Sequence, residues 1–232
     1  MGNNNPALIG HRGAPREHPE NTLPGFARAL ELGASGIELD VHATRDGVVV
    51  VHHDPVPRAT TTEAHLARRP IAELTFEELA TFSVAPGVPI PRLSDVLELV
   101  GDAAMVYVEL KGKSIERQAI EVIRRSIARC AVHSFDHAAI VRAQQIAPDI
   151  RRGLLFSRRP SDPAAALKAA GAADAWPEWP LVDQPFVDSV RRVGGSIIAW
   201  TVNDAGTARH LASMGVDGIC TDDIRAVARA RA

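Results

Sequence analysis

The chain has little that would tie it to a special environment. It holds two cysteines, Cys130 and Cys220, far apart and in no CxxC pair. A thiol zinc site is not expected from them, and both read as small apolar filler. No stretch approaches the ~18 apolar residues that crossing a bilayer demands. The apolar run ahead of His11 is too short for a secretory core, and Pro6 stands where a myristoylation signal wants Ser or Thr. No stable membrane anchor is therefore expected, and a soluble, reducing, cytoplasmic setting is the default. Charge of one sign is also lacking: 26 basic against 28 acidic residues give a net −2. That balance excludes the strongly basic footprint of a nucleic-acid binder and an acidic tail.

What is present is a chain of 232 residues, 46% apolar, long enough to bury roughly 70–75% of its unfolded surface in one core. Short β-rich runs alternate with longer helical ones. Strands are expected at Ala7–Gly13, Gly36–Thr44, Ala104–Leu110, Ala131–Phe135, Arg152–Phe156, Asp174–Trp176, Ser196–Val202 and Gly218–Thr221. Helices are expected at Thr22–Leu32, Ser94–Val100, Ile115–Ala128, His137–Ile146, Pro163–Ala170, Gln184–Val193, Ala205–Met214 and Asp222–Ala230. An extra strand at Val48–His53 follows the hairpin signal Asp46-Gly47. Residues 55–92, rich in Pro, read as an insertion with one short helix near Thr75–Thr81. Eight βα units point to a single α/β domain, a (β/α)8 TIM barrel with a small insertion after the second strand. A doubly wound sheet would carry a Gly-rich phosphate loop after its first strand. Here that strand ends in Gly10-His11-Arg12-Gly13, which offers side chains in place of a glycine cradle.

In a parallel barrel the working face lies at the C-terminal ends of the strands, and the polar residues collect there. His11 and Arg12 close the first strand, and Glu38 and Asp40, two apart on the second, share a face. His53 and Asp54 end the hairpin strand, and Glu109 and Lys111 end the next barrel strand. A barrel strand has no solvated face, so such charges must be paired or liganded. Three carboxylates, Glu38, Asp40 and Glu109, form an all-oxygen donor set that suits Mg²⁺ or Ca²⁺ far better than zinc. His11 and His53 supply one base and one acid near neutral pH. His52, adjacent to His53, points to the opposite face, so only one of the two reaches the site. His18, His42, His65, His133, His137 and His210 read as structural. Arg12 and Lys111 are placed to grip phosphate oxygens. The combination describes metal-assisted phosphodiester cleavage.

Several segments together resemble a known family. They are His11-Arg12-Gly13, Pro19-Glu20-Asn21-Thr22, Gly36-Ile37-Glu38-Leu39-Asp40-Val41, Thr44-Arg45-Asp46-Gly47 and Val51-His52-His53-Asp54. Glu109-Leu110-Lys111, Ser134-Phe135-Asp136, Ala199-Trp200-Thr201-Val202-Asn203 and Asp217-Gly218-Ile219-Cys220-Thr221-Asp222 continue the match. In order and spacing they resemble the glycerophosphodiester phosphodiesterases, from residue 7 to about 223. The resemblance implies a (β/α)8 barrel with an insertion after the second strand. It implies metal ligation by Glu38, Asp40 and Glu109, acid–base roles for His11 and His53, and phosphate contact by Arg12 and Lys111. Glu20 and Trp200 match further positions that line such pockets. The implied substrate is a small glycerophosphodiester, cleaved to sn-glycerol 3-phosphate and an alcohol. One departure stands after Thr221-Asp222, where many members carry Pro and this chain continues Asp223-Ile224; it concerns the start of the final helix.

Three other readings use the same residues. A cyclising, phospholipase D-like attack on choline lipids would leave a cyclic phosphate. A zinc-dependent barrel hydrolase would begin with His-x-His, where this chain has His11-Arg12-Gly13. A non-catalytic barrel that only binds a phosphate ligand would not need both histidines and all three acids. The alcohol, the choice of cation, the order of the histidines and the oligomeric state are open at this level.

Overall fold

Eight parallel strands close on themselves. The computed structural model describes residues 5–229, so residues 1–4 of the N-terminal reading and Ala230 of the last expected helix lie outside the described residues. The strands are β1 (Ala7–His11), β2 (Gly36–Ala43), β3 (Met105–Leu110), β4 (Arg129–Ser134), β5 (Arg151–Phe156), β6 (Asp174–Pro177), β7 (Ser196–Ala199) and β8 (Gly218–Thr221). They pair in the order β1-β8-β7-β6-β5-β4-β3-β2, and β2 returns to β1 to complete a TIM barrel. Between and after them run α1 (Leu23–Glu31), α2 (Leu93–Val100), α3 (Glu116–Arg124), α4 (His137–Ile146), α5 (Pro163–Ala170), α6 (Gln184–Arg191), α7 (Ala205–Ser213) and α8 (Ile224–Ala228).

Local chemistry explains where these elements begin and stop. The loops leading into α4 to α8 end in an aspartate, Asp136, Asp162, Asp183, Asp204 or Asp223, whose carboxylate accepts a backbone N–H of the helix's first turn. Such caps satisfy donors that the helix itself leaves free. β1 ends at His11, two residues earlier than expected, because Arg12 and Gly13 adopt φ of 55° and 92°. At Gly13 a Cβ would sit 2.8 Å from the carbonyl carbon of Gly25, so the turn accepts only glycine. α3 is shorter than expected because the amides of Arg125 and Ser126 turn to carbonyls three residues back, at Val122 and Ile123. α8 starts after Asp223, so Asp222 belongs to the strand end and not to the helix.

The hairpin strand spans Val49–Val51 and lies antiparallel on β2. The segment after it builds a small sheet from Thr60–Thr61, Phe82–Ala85 and Val88–Pro89. A capping box between Thr75 and Glu78 opens its short helix at Phe76–Leu79. It has an apolar centre of its own, with Val50, Leu66, Ile71, Leu74, Leu79, Phe82 and Ile90 buried together. The main core lies between barrel and helices, while Ile9, Leu155, Trp176, Ile198 and Cys220 fill the barrel's interior. At the N-terminal end of the barrel Arg151 forks onto the buried carboxylate of Asp174. Among the described residues no helix is long and apolar enough to cross a membrane.

Candidate active site

Strand register brings the site together. His11 lies beside Glu38 across β1 and β2, Asp40 beside Glu109 across β2 and β3, and Glu109 beside His133 across β3 and β4. The side chains open on a cavity of about 210 Å³ at the C-terminal face of the barrel. One wall is polar: His11, Arg12, Glu38, His53, Glu109 and Lys111. The other, from β4 to β8, is His133, Phe135, Leu155, Trp176, Trp200 and Cys220.

Each of the two cavity histidines on the polar wall is oriented by its own carboxylate. Nδ1 of His11 lies 2.7 Å from Asp222 Oδ1, and Nδ1 of His53 lies 2.8 Å from Asp54 Oδ1. With Nδ1–H donated to a carboxylate, Nε2 is the ring nitrogen whose lone pair is left to accept a proton. Burial disfavours the charged form of His11, but the bond to Asp222 and the field of Glu38 outweigh it, and the imidazole pKa is raised. Asp222 is itself held by Asn203, whose Nδ2 donates to it at 2.9 Å and whose Oδ1 accepts its backbone N–H at 2.8 Å. His53 is steadied through its carbonyl, 3.1 Å from Nε2 of His42. His52, by contrast, accepts the amide of Arg58 and does not line the cavity.

The carboxylates are crowded. Glu38, Asp40 and Glu109 are all buried, with Arg12 and Lys111 the cations beside them. Nε of Arg12 lies 3.2 Å from Asp40 Oδ2, and Lys111 Nζ lies 3.3 Å from Glu109 and 3.6 Å from Asp40. Burial, then the charges of Asp40 and Glu38, push the Glu109 carboxyl up to about 8. For Asp40 burial works against ionisation, yet Arg12, Lys111 and a hydrogen bond from Asn21 hold its carboxyl below the usual range. Asn21 Nδ2 donates to Asp40 Oδ2 at 2.8 Å.

These residues fit a divalent cation. Asp40 Oδ1 and both ring nitrogens of His133 are buried without a hydrogen-bond partner. One donor atom from each of Glu38, Glu109 and His133 lies within 4.8 Å of the others. Asp40 is not in that trio; its Oδ2 is engaged by Asn21 and Arg12, and its Oδ1 lies 3.6 Å from Lys111 Nζ. Glu20 does not line the cavity; it accepts both of its bonds from Nη1 of Arg12, at 3.1 and 3.2 Å. Trp200 does line it, its Nε1 donating to the carbonyl of Trp176. Asn21, Asn203 and Asp222 are site residues that sequence reasoning gave no role, and His133, expected to be structural, lines the cavity. For Asp222 and His133 a signal existed, since one directly follows β8 and the other stands at the C-terminal end of β4.

Fold and site together define a barrel hydrolase. The chain belongs to the glycerophosphoryl diester phosphodiesterase family, whose model matches residues 11–226. It is 32% identical to a glycerophosphodiester phosphodiesterase of Caldanaerobacter subterraneus, with 93% of each chain covered. A similar protein of Bacillus altitudinis is 31% identical over 93% of this chain and 94% of its own. Among solved structures, a putative glycerophosphoryl diester phosphodiesterase from Silicibacter pomeroyi superposes with a TM-score of 0.87 at 30% identity, covering 97% of this chain and 93% of that one. An Oleispira antarctica phosphodiesterase, solved with the product sn-glycerol-3-phosphate, superposes with a TM-score of 0.88 at 26% identity, covering 97% and 96%.

Proposed function

We propose that this chain hydrolyses glycerophosphodiesters to sn-glycerol 3-phosphate and a free alcohol, with His11 and His53 as the acid–base pair. The observation that carries the reading is the pair of histidine–carboxylate couples, His11–Asp222 and His53–Asp54, opening on one cavity. The product bound to the Oleispira relative supports the same chemistry.

Arg12 and Lys111 bind the phosphate through its non-bridging oxygens, Arg12 with its guanidinium steadied by Glu20 and Asp40. Glu38, Asp40 and Glu109 would hold a divalent cation, Mg²⁺ or Ca²⁺ being what three carboxylates suit. When bound, that cation would neutralise phosphate charge and act as a Lewis acid. One histidine takes the proton of the attacking hydroxyl as its oxygen bonds to phosphorus. Water gives sn-glycerol 3-phosphate directly, whereas the glycerol 2-hydroxyl gives a transient cyclic phosphate that a water molecule then opens, its proton going to a histidine. The phosphorus–oxygen bond to the alcohol breaks, the electron pair leaves with that oxygen, and the second histidine protonates it. Trp200 and Phe135, with ring centroids 5.6 Å apart, offer an apolar surface to the carbon skeleton of the substrate.

The test is a panel of glycerophosphodiesters, glycerophosphocholine first, assayed with each divalent cation for release of sn-glycerol 3-phosphate. Release dependent on added cation is expected. No product from any member of the panel would overturn the reading, and a persistent cyclic phosphate in phosphorus NMR would replace it with the cyclising reaction.

A further inference from the structure

The mechanism above gives no work to His133, yet its setting is not that of core filling. The ring is 1% exposed and neither nitrogen makes a hydrogen bond, whereas buried polar atoms of folded proteins usually do. It is in register with Glu109, and its Nε2 lies 3.5 Å from Glu38 Oε1. Packing holds it there: the ring leans on Trp176 with centroids 4.4 Å apart. Asp40, meanwhile, has one oxygen committed to Asn21 and Arg12. Three carboxylates already crowd the site, and a neutral imidazole adds a donor without a further negative charge.

We infer that His133 is a nitrogen ligand of the cation site, adding an imidazole to the carboxylates of Glu38, Asp40 and Glu109, with its donor atom within 4.8 Å of those of Glu38 and Glu109. The inference rests on the reading of this cluster as a cation site and deepens it. Oxygen-only sets suit Mg²⁺ and Ca²⁺, whereas imidazole suits first-row transition ions. His133 therefore shifts selectivity toward dications such as Co²⁺ or Zn²⁺.

Metal-free protein is titrated calorimetrically with Co²⁺ and, separately, with Mg²⁺, for wild type, His133→Gln, His133→Leu and Glu38→Gln. The visible absorption of the Co²⁺-loaded forms is recorded alongside. Both His133 variants should weaken Co²⁺ binding by at least ~10-fold, move the Co²⁺ bands and leave Mg²⁺ binding essentially unchanged. Glu38→Gln should weaken both ions. Wild-type Co²⁺ affinity and bands in the His133 variants, with Glu38→Gln impaired, would overturn the assignment while leaving the cation site standing. Full binding by Glu38→Gln would remove the cation reading itself. If the His133 variants do not fold, pulsed EPR of Mn²⁺-loaded wild type with ¹⁵N-histidine decides. A nitrogen coupling that survives in His11→Ala and His53→Ala supports the ligand, and no coupling overturns it.

Discussion

Asp222, directly after the last barrel strand, accepts the Nδ1 proton of His11, at the end of the first, over 2.7 Å. The pair ties the first barrel strand to the last at the rim of the cavity. Replacing Asp222 by Asn keeps the shape and removes the charge that orients the ring and favours its protonated form. We expect kcat to fall by roughly 10²-fold or more with KM little changed. The His11 limb of the pH–rate profile should move toward acid, because Asp222 is one of the groups raising that pKa against burial. Steady-state kinetics across pH checks both.

His11→Ala and His53→Ala should each lose ~10²–10⁴-fold in kcat. If they act as one acid–base pair, the double variant should lose far less than the product of the two. Near-full turnover in either single variant would remove that residue from the mechanism.

Glu109 is expected to release a proton when a cation binds. Its carboxyl, pushed up to about 8 by burial and by Asp40 and Glu38, is mostly protonated at neutral pH, and a cation would displace that proton. Calorimetry at pH 7 in buffers of different ionisation heat should show close to one proton released per cation, fading well above pH 8. The sign for stability follows from the same raised value. Between the ordinary 4.5 and about 8 the folded protein keeps a proton that the unfolded chain has lost, so metal-free protein should lose stability as pH rises through that window. Added cation should reduce the loss, as melting curves would register.

Asn21 holds Asp40 from above β2, donating at 2.8 Å with its own backbone at φ 57°. Asn21→Ala removes a hydrogen bond to a buried charge, about 1.5–3 kcal/mol, and places Ala in a conformation that Asn tolerates better. Urea denaturation should show a loss of that order, and activity should fall with it.

Arg151 lies at the opposite end of the barrel. Burial raises the pKa of Asp174, and the Arg151 guanidinium counters it. Arg151→Ala strands that carboxylate and should cost about 3–5 kcal/mol of stability. Residual folded enzyme should keep its kcat, because the pair lies at the N-terminal strand ends and neither residue lines the cavity. A large kcat effect would show that the two ends are coupled.

The sequence by itself determined the number and kind of the barrel's elements. Apolar periodicity and turn signals are local, so eight βα units and a proline-rich insertion with one short helix were legible, whereas the insertion's three-stranded sheet was not. Legible too were the residues that a strand end must bring to the rim: His11, Arg12, Glu38, Asp40, Glu109 and Lys111. Only the tertiary structure decided which partner each one meets. Asp222 joins His11 across 211 positions, and His133 meets Glu38 because β2 and β4 flank β3 in a closed barrel. Strand register and barrel closure set those distances, and neither is written in the spacing along a single strand.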